Sequence, residues 1–439
     1  MQSISTDKLC EILGYKGNVQ SGQISHITTD SRQVTAGDLF IALRGEKFDG
    51  HNFVAQVLDN GAHLAIVDHL IDKVPADKQI VVENTLQAYG KIGAYNRSHF
   101  KGTVIGLTGS SGKTTTKEEL KSALSQYGKV YATQGNFNNG VGVPATLCNL
   151  DMTADFAVIE MGMSAKGEIE ELTGYTKPDI AIITNVYPMH IEFFENFAGI
   201  AEAKAEIFKG LKKGGAAVIN EDTNFADILE QRAVENGAIV YKFGKNHHSS
   251  AELHLQDEGE HNFYNAWCVL KVIEVLGLDE KKAVTALNNF TALAGRGAKH
   301  QLKLANGSYT LIDDSYSGQP EAMKLAIANL NKMPCSGRKI AVLGKMAELG
   351  DSSLARHIEI GQALAGSDID IVIGVCPEMR DMLAQLPASK EQHYFENNHG
   401  LDEFLLNKCL QNGDIVLIKG ARYSSQMYKT AESLIEKGK

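Results

Sequence analysis

A glycine-rich stretch follows a short apolar run and leads into a helical pattern. The stretch is Thr108-Gly-Ser-Ser-Gly-Lys-Thr-Thr115, after the apolar run Thr103–Leu107. The backbone N–H groups of such a turn and of the next helix bind phosphate, the lysine adds charge, and the threonine hydroxyl can hold Mg²⁺. The longer form of this loop has a glycine where this chain has Leu107. The pattern predicts a strand, a phosphate loop and a helix; the alternative is a turn that only caps a helix.

Length and composition limit the classes of protein that fit. With 439 residues, the chain is long enough for two or three domains. The net charge of -10 and the absence of basic runs argue against nucleic acid as a partner. Six dispersed cysteines suggest neither a disulfide framework nor a zinc site. No apolar stretch approaches the length of a membrane span, so we expect no membrane insertion. Because the cysteines fit a reducing compartment, we expect a cytoplasmic protein, and we expect it to be a monomer.

Residues 1–98 are predicted to form a small α/β unit. A helix is expected over 8–13, strands over 37–43 and 64–67, and helices over 53–61 and 86–97. Polar residues gather at 29–32 and 45–51, and their types are those of turns. A binding role for these two clusters is the alternative.

Residues 100 to 311 alternate strand and helix patterns, which predicts a mostly parallel sheet covered on both faces. Ligands bind at the carboxyl ends of strands in such sheets. Glu160 ends one apolar run, which suits an acid that holds Mg²⁺, although a surface or capping acid is the alternative. His190 follows another run, and there a loop histidine without a ligand fits equally well.

Lys204 lies on the apolar stripe of a helix predicted over 200–211, between Ile200 and Phe208. A buried lysine has a lowered pKa, and its neutral amine can take up CO₂ to form a carbamate that binds metal. A lysine that reaches solvent along the helix is the alternative that the pattern alone favours.

Two further clusters suit a nucleotide. Asn262 and Asn265 share one helix face and can contact a base, with capping by Asn262 as the alternative. Arg296 lies in a glycine-rich turn that suits phosphate contact, although a turn arginine is often simply solvated.

A polar hinge over 311–320 is predicted to lead into a second doubly wound α/β unit. Strands are expected at 340–343, 369–373 and 415–418, with helices near 321–331, 354–365, 399–410 and 424–437. Lys419 and Arg422 follow the last strand, at an edge where ligands bind.

Taken together, the ordered clusters identify a family. The chain resembles the Mur ligases of peptidoglycan synthesis over essentially its whole length, including the shortened phosphate loop. The motifs that carry the resemblance are Thr29-Asp-Ser-Arg32, Asp49-Gly-His51, Thr108–Thr115, Asn136–Pro144, Glu160-Met-Gly-Met163, Ala203–Phe208, His261-Asn-x-x-Asn265, Gly295-Arg-Gly297, Asp313-Asp-Ser-Tyr316, Glu348-Leu-Gly350 and Lys419-Gly-x-Arg422.

The resemblance implies an α/β protein of three domains: residues 1–98 for the UDP-sugar substrate, a P-loop domain of mostly parallel sheet over 99–311 for ATP, and a Rossmann-like domain over 312–439 for the amino substrate. Within the family, the chain is most similar to ligases that add D-alanyl-D-alanine to UDP-N-acetylmuramoyl-tripeptide through an acyl phosphate. ATP and two Mg²⁺ positions are implied.

The resemblance also implies roles for individual residues. The residues implied to bind the ATP phosphates are Gly109, Ser110, Ser111, Gly112, Lys113, Thr114 and Thr115. The residues implied to hold or support metal are Thr114, Glu160, His190 and carbamylated Lys204. The residues implied to be catalytic are Lys113, His190 and Lys204. Asn265, Arg296 and Asp314 contact adenine, phosphates and ribose. The muropeptide contacts are Ser31, Arg32, Asn138 and Asn139, and Lys419 and Arg422 serve the substrate side of the last domain.

The chain departs from the family pattern only in its last third. Ser317-Gly-Gln319 replaces Asn-Ala-Asn, Lys345 replaces an aspartate, and Ala421 replaces a serine. The activating chemistry is therefore expected to be intact, and the alternative hypothesis is an amine acceptor other than D-alanyl-D-alanine. A nucleotide-binding regulator without activity would have lost the metal ligands, and this chain keeps them.

Overall fold

Three sheets of four or six strands carry the functional segments of this protein. The computed structural model describes residues 3–45, 48–189, 191–256, 259–347 and 349–438. Packing divides the chain into two compact units. The first comprises Met1–Val186, Ala201–Leu253 and Tyr264–Leu287, and the second comprises Tyr187–Ile200, His254–Phe263 and Asn288–Lys439.

The N-terminal part is a small α/β assembly, as predicted. Its strands β3 to β6 form a parallel sheet in sequential order, and β1 pairs with β2. Ser5 caps the first helix by accepting a hydrogen bond from Lys8 N at 3.2 Å, and Gly14 ends it in the left-handed region. The elements are β1 Ile4–Ser5, α1 Thr6–Leu13, β2 Gln23–Ile24, β3 Ile27–Thr28, β4 Leu39–Ile41, α2 Val54–Asp59, β5 Leu64–Val67, β6 Gln79–Val81 and α3 Thr85–His99.

The central part is a six-stranded sheet in which every neighbouring pair is parallel. Its order is β12-β11-β10-β7-β9-β8, and its inner strands are almost wholly buried, as strands covered on both faces are. The elements are β7 Thr103–Thr108, α4 Lys113–Leu124, β8 Val130–Ala132, α5 Gly142–Cys148, β9 Phe156–Glu160, α6 Glu168–Thr176, β10 Ile180–Ile183, α7 Phe197–Ala205, β11 Ala216–Asn220, α8 Ala226–Glu235, β12 Ile239–Phe243, α9 Glu260–Val275 and α10 Glu280–Asn288.

The C-terminal sheet has the order β13-β14-β18-β15-β16-β17, with one antiparallel pair, β13 and β14. Alternate residues of its strands enter two separate cores, for example Ile340 and Val342 one core and Ala341 and Leu343 the other. The elements are β13 Ala298–Leu304, β14 Gly307–Asp314, α11 Pro320–Lys332, β15 Lys339–Gly344, α12 Ser353–Ala365, β16 Ile371–Val375, α13 Met379–Leu383, β17 Glu391–Phe395, α14 Leu401–Phe404, β18 Ile415–Lys419, α15 Arg422–Ser425 and α16 Met427–Lys437.

Two sequence predictions need correction. The hinge expected over 311–320 is wrong for Leu311–Asp314, because these residues complete β14 and pair with β18 in the C-terminal sheet. The helix predicted over 200–211 starts at Phe197 and changes to a 3₁₀ turn over Glu206–Gly210. The strands that the sequence pattern missed include β8, β13 and β17, which lie at sheet edges where one side is polar.

No helix within the described residues has both the length and the apolar character needed to cross a membrane.

Candidate functional site

The predicted phosphate loop lies between β7 and α4 in the first unit. Gly112 precedes the first residue of α4 with a φ of 78°, and no side chain caps this helix end. A Cβ atom on Gly112 would lie 2.7 Å from Asn265 Oδ1, and one on Gly109 would collide with Thr184 Oγ1. Glycine is therefore required at both positions, and the uncapped helix N-terminus is left available for an anion.

The end of β10 braces the loop from the neighbouring strand. Asn185 accepts hydrogen bonds from Ser110 N through its carbonyl at 3.0 Å and from Ser111 N through Oδ1 at 2.7 Å. Thr184 Oγ1 donates to the Ser111 carbonyl at 2.7 Å. The loop is thus held in a preformed shape by residues at a strand's carboxyl end, where the sequence analysis expected polar groups.

Lys113 folds back over the loop. Its Nζ atom donates to the Gly109 carbonyl at 2.7 Å. A phosphate in the loop would meet this ammonium without a large movement of the side chain, because the charge already lies within the turn.

Glu160 ends β9 beside the start of α4, and it is 1% exposed. Its Oε1 atom accepts hydrogen bonds from Thr114 Oγ1 at 3.1 Å and from Asn138 Nδ2 at 2.7 Å. Its Oε2 atom is buried and has no hydrogen-bond partner within the described chain. Buried carboxylate oxygens are normally paired, so this oxygen and the Thr114 hydroxyl fit a divalent cation.

Lys117, which the sequence analysis missed, also lies beside this carboxylate. It is fully buried, donates from Nζ to the Thr133 carbonyl at 2.7 Å, and lies 3.9 Å from Glu160 Oε2. A signal was available, since Lys117 precedes Leu120 by three residues and Leu124 by seven and therefore shares their apolar stripe.

Lys204 is 3% exposed, so the expectation that it reaches solvent is wrong. Burial lowers its pKa well below the usual value, and the positive charge of Lys113 lowers it further. Both effects favour the neutral amine, which is the form that reacts with CO₂.

Asn265 lies at the phosphate loop. Its Oδ1 atom accepts a hydrogen bond from Thr116 Oγ1 at 3.2 Å, and the residue is buried. Thr115, which is also predicted to contact the phosphates, lies in α4 directly before Thr116. His190, a predicted metal residue, lies outside the described residues.

The residues predicted to contact the muropeptide are placed in different settings. Asn138 faces Glu160, as described above, whereas Asn139 Oδ1 accepts hydrogen bonds from Val141 N and Gly142 N at the start of α5. Arg32 is exposed and forms two side-chain hydrogen bonds with Asp30, at 2.9 and 2.7 Å, while Ser31 is partly exposed beside it. The hydrogen bonds from Arg32 lower the pKa of Asp30 to about 2.

The second predicted turn cluster is built by an acidic cap. Asp49 accepts a hydrogen bond from His51 N at 2.9 Å and lies 2.6 Å from His51 Nδ1. His51, Asp68 and His69 are spaced closely enough for a metal. However, Arg44 Nη2 lies 3.1 Å from Asp68 and 3.4 Å from His69 Nδ1, and its charge opposes a cation there. Asp49 and His51 therefore build the turn, and a binding role for this cluster stays a prediction.

In the second unit, Asp314 and Lys419 form an ion pair at the carboxyl ends of β14 and β18. Lys419 Nζ donates to Asp314 Oδ2 at 2.7 Å, and Lys419 is buried. Burial raises the pKa of the Asp314 carboxyl, and Lys419 opposes that rise. Asp313, beside it, accepts hydrogen bonds from Gly295 N at 2.7 Å and Ser315 Oγ at 2.5 Å, which holds the turn that carries Arg296.

Arg296 and Arg422 both contact the ring of Tyr316. The guanidinium carbon of Arg296 lies 4.0 Å from the ring centroid, and that of Arg422 lies 5.3 Å from it and 4.4 Å from the Tyr428 ring. Stacking of this kind holds the planar group and leaves its N–H edges available for an anion.

The positions that depart from the family pattern meet around one loop. The Ala421 N–H donates to the Lys345 carbonyl at 3.1 Å. A Cβ atom on Gly318 would lie 2.9 Å from Ala421 Cα. Lys345 Nζ lies 3.0 Å from Glu378 Oε1, so an acid does stand beside the lysine that replaces one.

This chain is similar to known proteins over its whole length. Family models match residues 23–95 (Mur ligase family, catalytic domain), 107–274 (Mur ligase middle domain) and 300–422 (Mur ligase, glutamate ligase domain). The chain is 33% identical over 465 residues to UDP-N-acetylmuramoyl-tripeptide--D-alanyl-D-alanine ligase of Escherichia coli (strain K12), with all of both chains covered. The ligase of the same name from Bacillus subtilis (strain 168) is 31% identical over 438 residues, which cover 94% of this chain and 93% of that one.

Solved structures agree over the same length. A crystal structure of MurF from Acinetobacter baumannii matches with a TM-score of 0.89 at 31% identity and 99% of each chain. MurF ligase from Thermotoga maritima in complex with ADP matches with a TM-score of 0.80 at 28% identity, covering 94% of this chain and 97% of that one. The three-domain α/β fold is confirmed, and the chain belongs to the Mur ligase family.

Proposed function

We propose that this protein is the ATP-dependent, ADP-forming ligase that joins D-alanyl-D-alanine to UDP-N-acetylmuramoyl-tripeptide in peptidoglycan synthesis. The observation that carries the proposal is the arrangement at one sheet edge of the glycine loop, Lys113, Thr114 and a Glu160 oxygen that accepts no hydrogen bond within the described residues. The names of full-length relatives supply the substrates.

The reaction has two steps. The terminal carboxylate of the tripeptide attacks the γ-phosphorus of ATP, the bond to the bridging oxygen breaks, and ADP leaves with that electron pair. The amine of D-alanyl-D-alanine, after losing its extra proton to solvent, attacks the carbonyl carbon of the acyl phosphate. Inorganic phosphate leaves, and the new amide nitrogen loses its remaining extra proton.

The first step brings a carboxylate to a polyphosphate, so negative charge must be neutralised. We assign the phosphates to the loop over Gly109, Ser110, Ser111 and Gly112, to the N-terminus of α4 with Thr115, and to Lys113. Thr114 Oγ1 and Glu160 would hold Mg²⁺, which supplies charge neutralisation for the phosphates when bound. Asn138, through its hydrogen bond to Glu160, would fix the direction of that carboxylate.

A second Mg²⁺ position is assigned to His190 and to Lys204 as its carbamate. Support for the carbamate comes from the burial of Lys204 and from the neighbouring charge of Lys113, which both favour a neutral amine. A carbamate would turn a buried cation into an anionic oxygen ligand.

The remaining assignments follow from the resemblance to the Mur ligases. Asn265 serves adenine, Asp314 the ribose and Arg296 the phosphates. Ser31, Arg32, Asn138 and Asn139 are assigned to the muropeptide, and Lys419 and Arg422 are assigned to the substrate side of the C-terminal domain. Residues 1–98, 99–311 and 312–439 would bind the UDP-sugar, ATP and the amino substrate, respectively. A monomer acting in the cytoplasm remains the expectation.

A different amine acceptor is the second candidate, because Lys345 replaces an acid and Ser317, Gly318, Gln319 and Ala421 also differ. One assay separates the two. Purified protein is given ATP, Mg²⁺ and UDP-N-acetylmuramoyl-tripeptide, and phosphate release is measured with D-alanyl-D-alanine and with a panel of other amines. Robust turnover with D-alanyl-D-alanine would remove the second candidate, whereas turnover only with another amine would overturn the first.

A further inference from the structure

The strand order of the C-terminal sheet marks a ligand crevice. From β15 the chain adds β16 and then β17 on one side, and β18 then returns to the other side of β15. Ligands of doubly wound sheets bind outside the carboxyl ends of strands where the order reverses, here β15 and β18. Gly344 ends β15 and Lys345 follows it, whereas Lys419 ends β18 and Ala421 follows soon after.

The backbone at this point is closely packed. Ala421 N–H donates to the Lys345 carbonyl, and Gly318 lies so close to Ala421 that a Cβ atom has no room. The Lys345 side chain, which is 29% exposed, extends from this packed backbone at the end of β15.

The next strand supplies an acid to the same point. Cys376 follows β16 with a φ of 90°, a strained value for a residue other than glycine, and Glu378 lies two residues later. Glu378 Oε1 pairs with Lys345 Nζ at 3.0 Å, while Glu378 Oε2 is buried and has no hydrogen-bond partner within the described chain. One carboxylate oxygen is thus left for a further donor.

We propose that Lys345 and Glu378 bind the two charged ends of the acceptor dipeptide: Lys345 the terminal carboxylate and Glu378 the ammonium group. The inference rests on the proposed function, which supplies a dipeptide with one charge of each sign. Two residues of extended chain separate those charges by roughly 7 Å. The pair must therefore open on binding, which two long, partly exposed side chains allow, and one ion pair becomes two.

The test compares two acceptors, D-alanyl-D-alanine and D-alanyl-D-alaninamide, which lacks the carboxylate charge. Lys345→Met is expected to raise KM for the dipeptide about tenfold and to leave KM for the amide unchanged. Glu378→Gln is expected to raise KM for both acceptors by a similar factor, since both carry the amine. KM values for ATP and UDP-N-acetylmuramoyl-tripeptide should not change.

A matched control lies in the same unit. Lys324 and Glu359 pair at 2.9 Å with side chains 34% and 37% exposed, against 29% and 36% for Lys345 and Glu378. Lys324→Met and Glu359→Gln should leave both acceptor KM values unchanged.

Three results would overturn the inference. In the first, Lys345→Met and Glu378→Gln leave the acceptor KM values unchanged, as the controls do. In the second, Lys345→Met raises KM equally for both acceptors, which would indicate a structural role only. The third is a wild-type protein that does not turn over D-alanyl-D-alanine, and this result overturns the proposed function as well. Thermal unfolding of each variant confirms that it is folded, and Lys345→Arg, which keeps the charge, should restore the preference for the dipeptide.

Discussion

Lys117 Nζ lies 3.9 Å from Glu160 Oε2, although both side chains are only 1% exposed. This carboxylate oxygen has no hydrogen-bond partner in the described part of the chain, and Lys117 forms an ion pair with it. Lys117 and a bound cation would therefore act on the same oxygen, which makes metal binding and folding interdependent at this point.

Lys117→Met should destabilise the protein by about 3 kcal/mol in EDTA, because it leaves a buried carboxylate without compensation. With Mg²⁺ and ADP the loss should shrink, since the cation takes over the neutralising role. Urea unfolding in both conditions measures the difference. Lys121→Met on the exposed face of the same helix is the control, and an equal loss of stability in both conditions would contradict a cation at Glu160.

Thr114→Val should reduce kcat/KM for ATP by about 10- to 100-fold, because it removes a hydroxyl that bonds to the Glu160 carboxylate. Thr114→Ser keeps the hydroxyl and should retain most of the activity. Steady-state phosphate release at several Mg²⁺ concentrations measures both variants. Comparable activity in Val and Ser would show that the hydroxyl has no role at the metal.

Gly112→Ala should reduce the free energy of ADP binding more than it reduces the free energy of unfolding. An added methyl group would press on Asn265 Oδ1 at 2.7 Å, inside the loop that is assigned to phosphate. Gly167 is the matched control: it also precedes a helix at positive φ, 91° against 78°, and a methyl group there meets nothing within 4 Å. Calorimetric titration with ADP should separate the two, and equal affinities would contradict the assignment.

Lys204 should carry a carbamate at neutral pH when CO₂ is present. Depleting CO₂ is expected to reduce phosphate release, and adding bicarbonate should restore it. Carbon NMR after addition of ¹³C-bicarbonate should show a carbamate signal that Lys204→Ala lacks. An unmodified Lys204 in active protein, with an unchanged rate for Lys204→Ala, would refute the assignment.

Glu119→Gln should stabilise the protein more at pH 8 than at pH 5. Burial raises the pKa of the Glu119 carboxyl well above 4.5. A folded-state pKa above the unfolded value gives stability that is present below pH 4.5 and is lost as pH rises through the folded value. Glutamine does not titrate, so its advantage should grow across that window. Urea unfolding at the two pH values measures it, and a pH-independent difference would contradict a buried neutral Glu119.

The order of elements was largely predictable because parallel strands buried on both faces give continuous apolar runs. The apolar runs predict β7, β9 and β10, and they also predict that the glycine loop and Glu160 lie at one sheet edge. Edge strands such as β8 and β17 are not predicted, because one side of each is solvated and each strand therefore mixes polar and apolar residues.

The sequence by itself thus determined which local motifs carry chemistry. These are the loop that holds phosphate, the acid that ends the neighbouring strand and the lysine on an apolar stripe. Contacts between distant segments were decided only by the tertiary structure. The amide of Asn138 turns to Glu160, Lys117 is buried beside it, and Glu378 faces Lys345. The physical reason is that local spacing fixes the direction of a side chain on its own element, whereas the partner it meets depends on how sheets and helices pack.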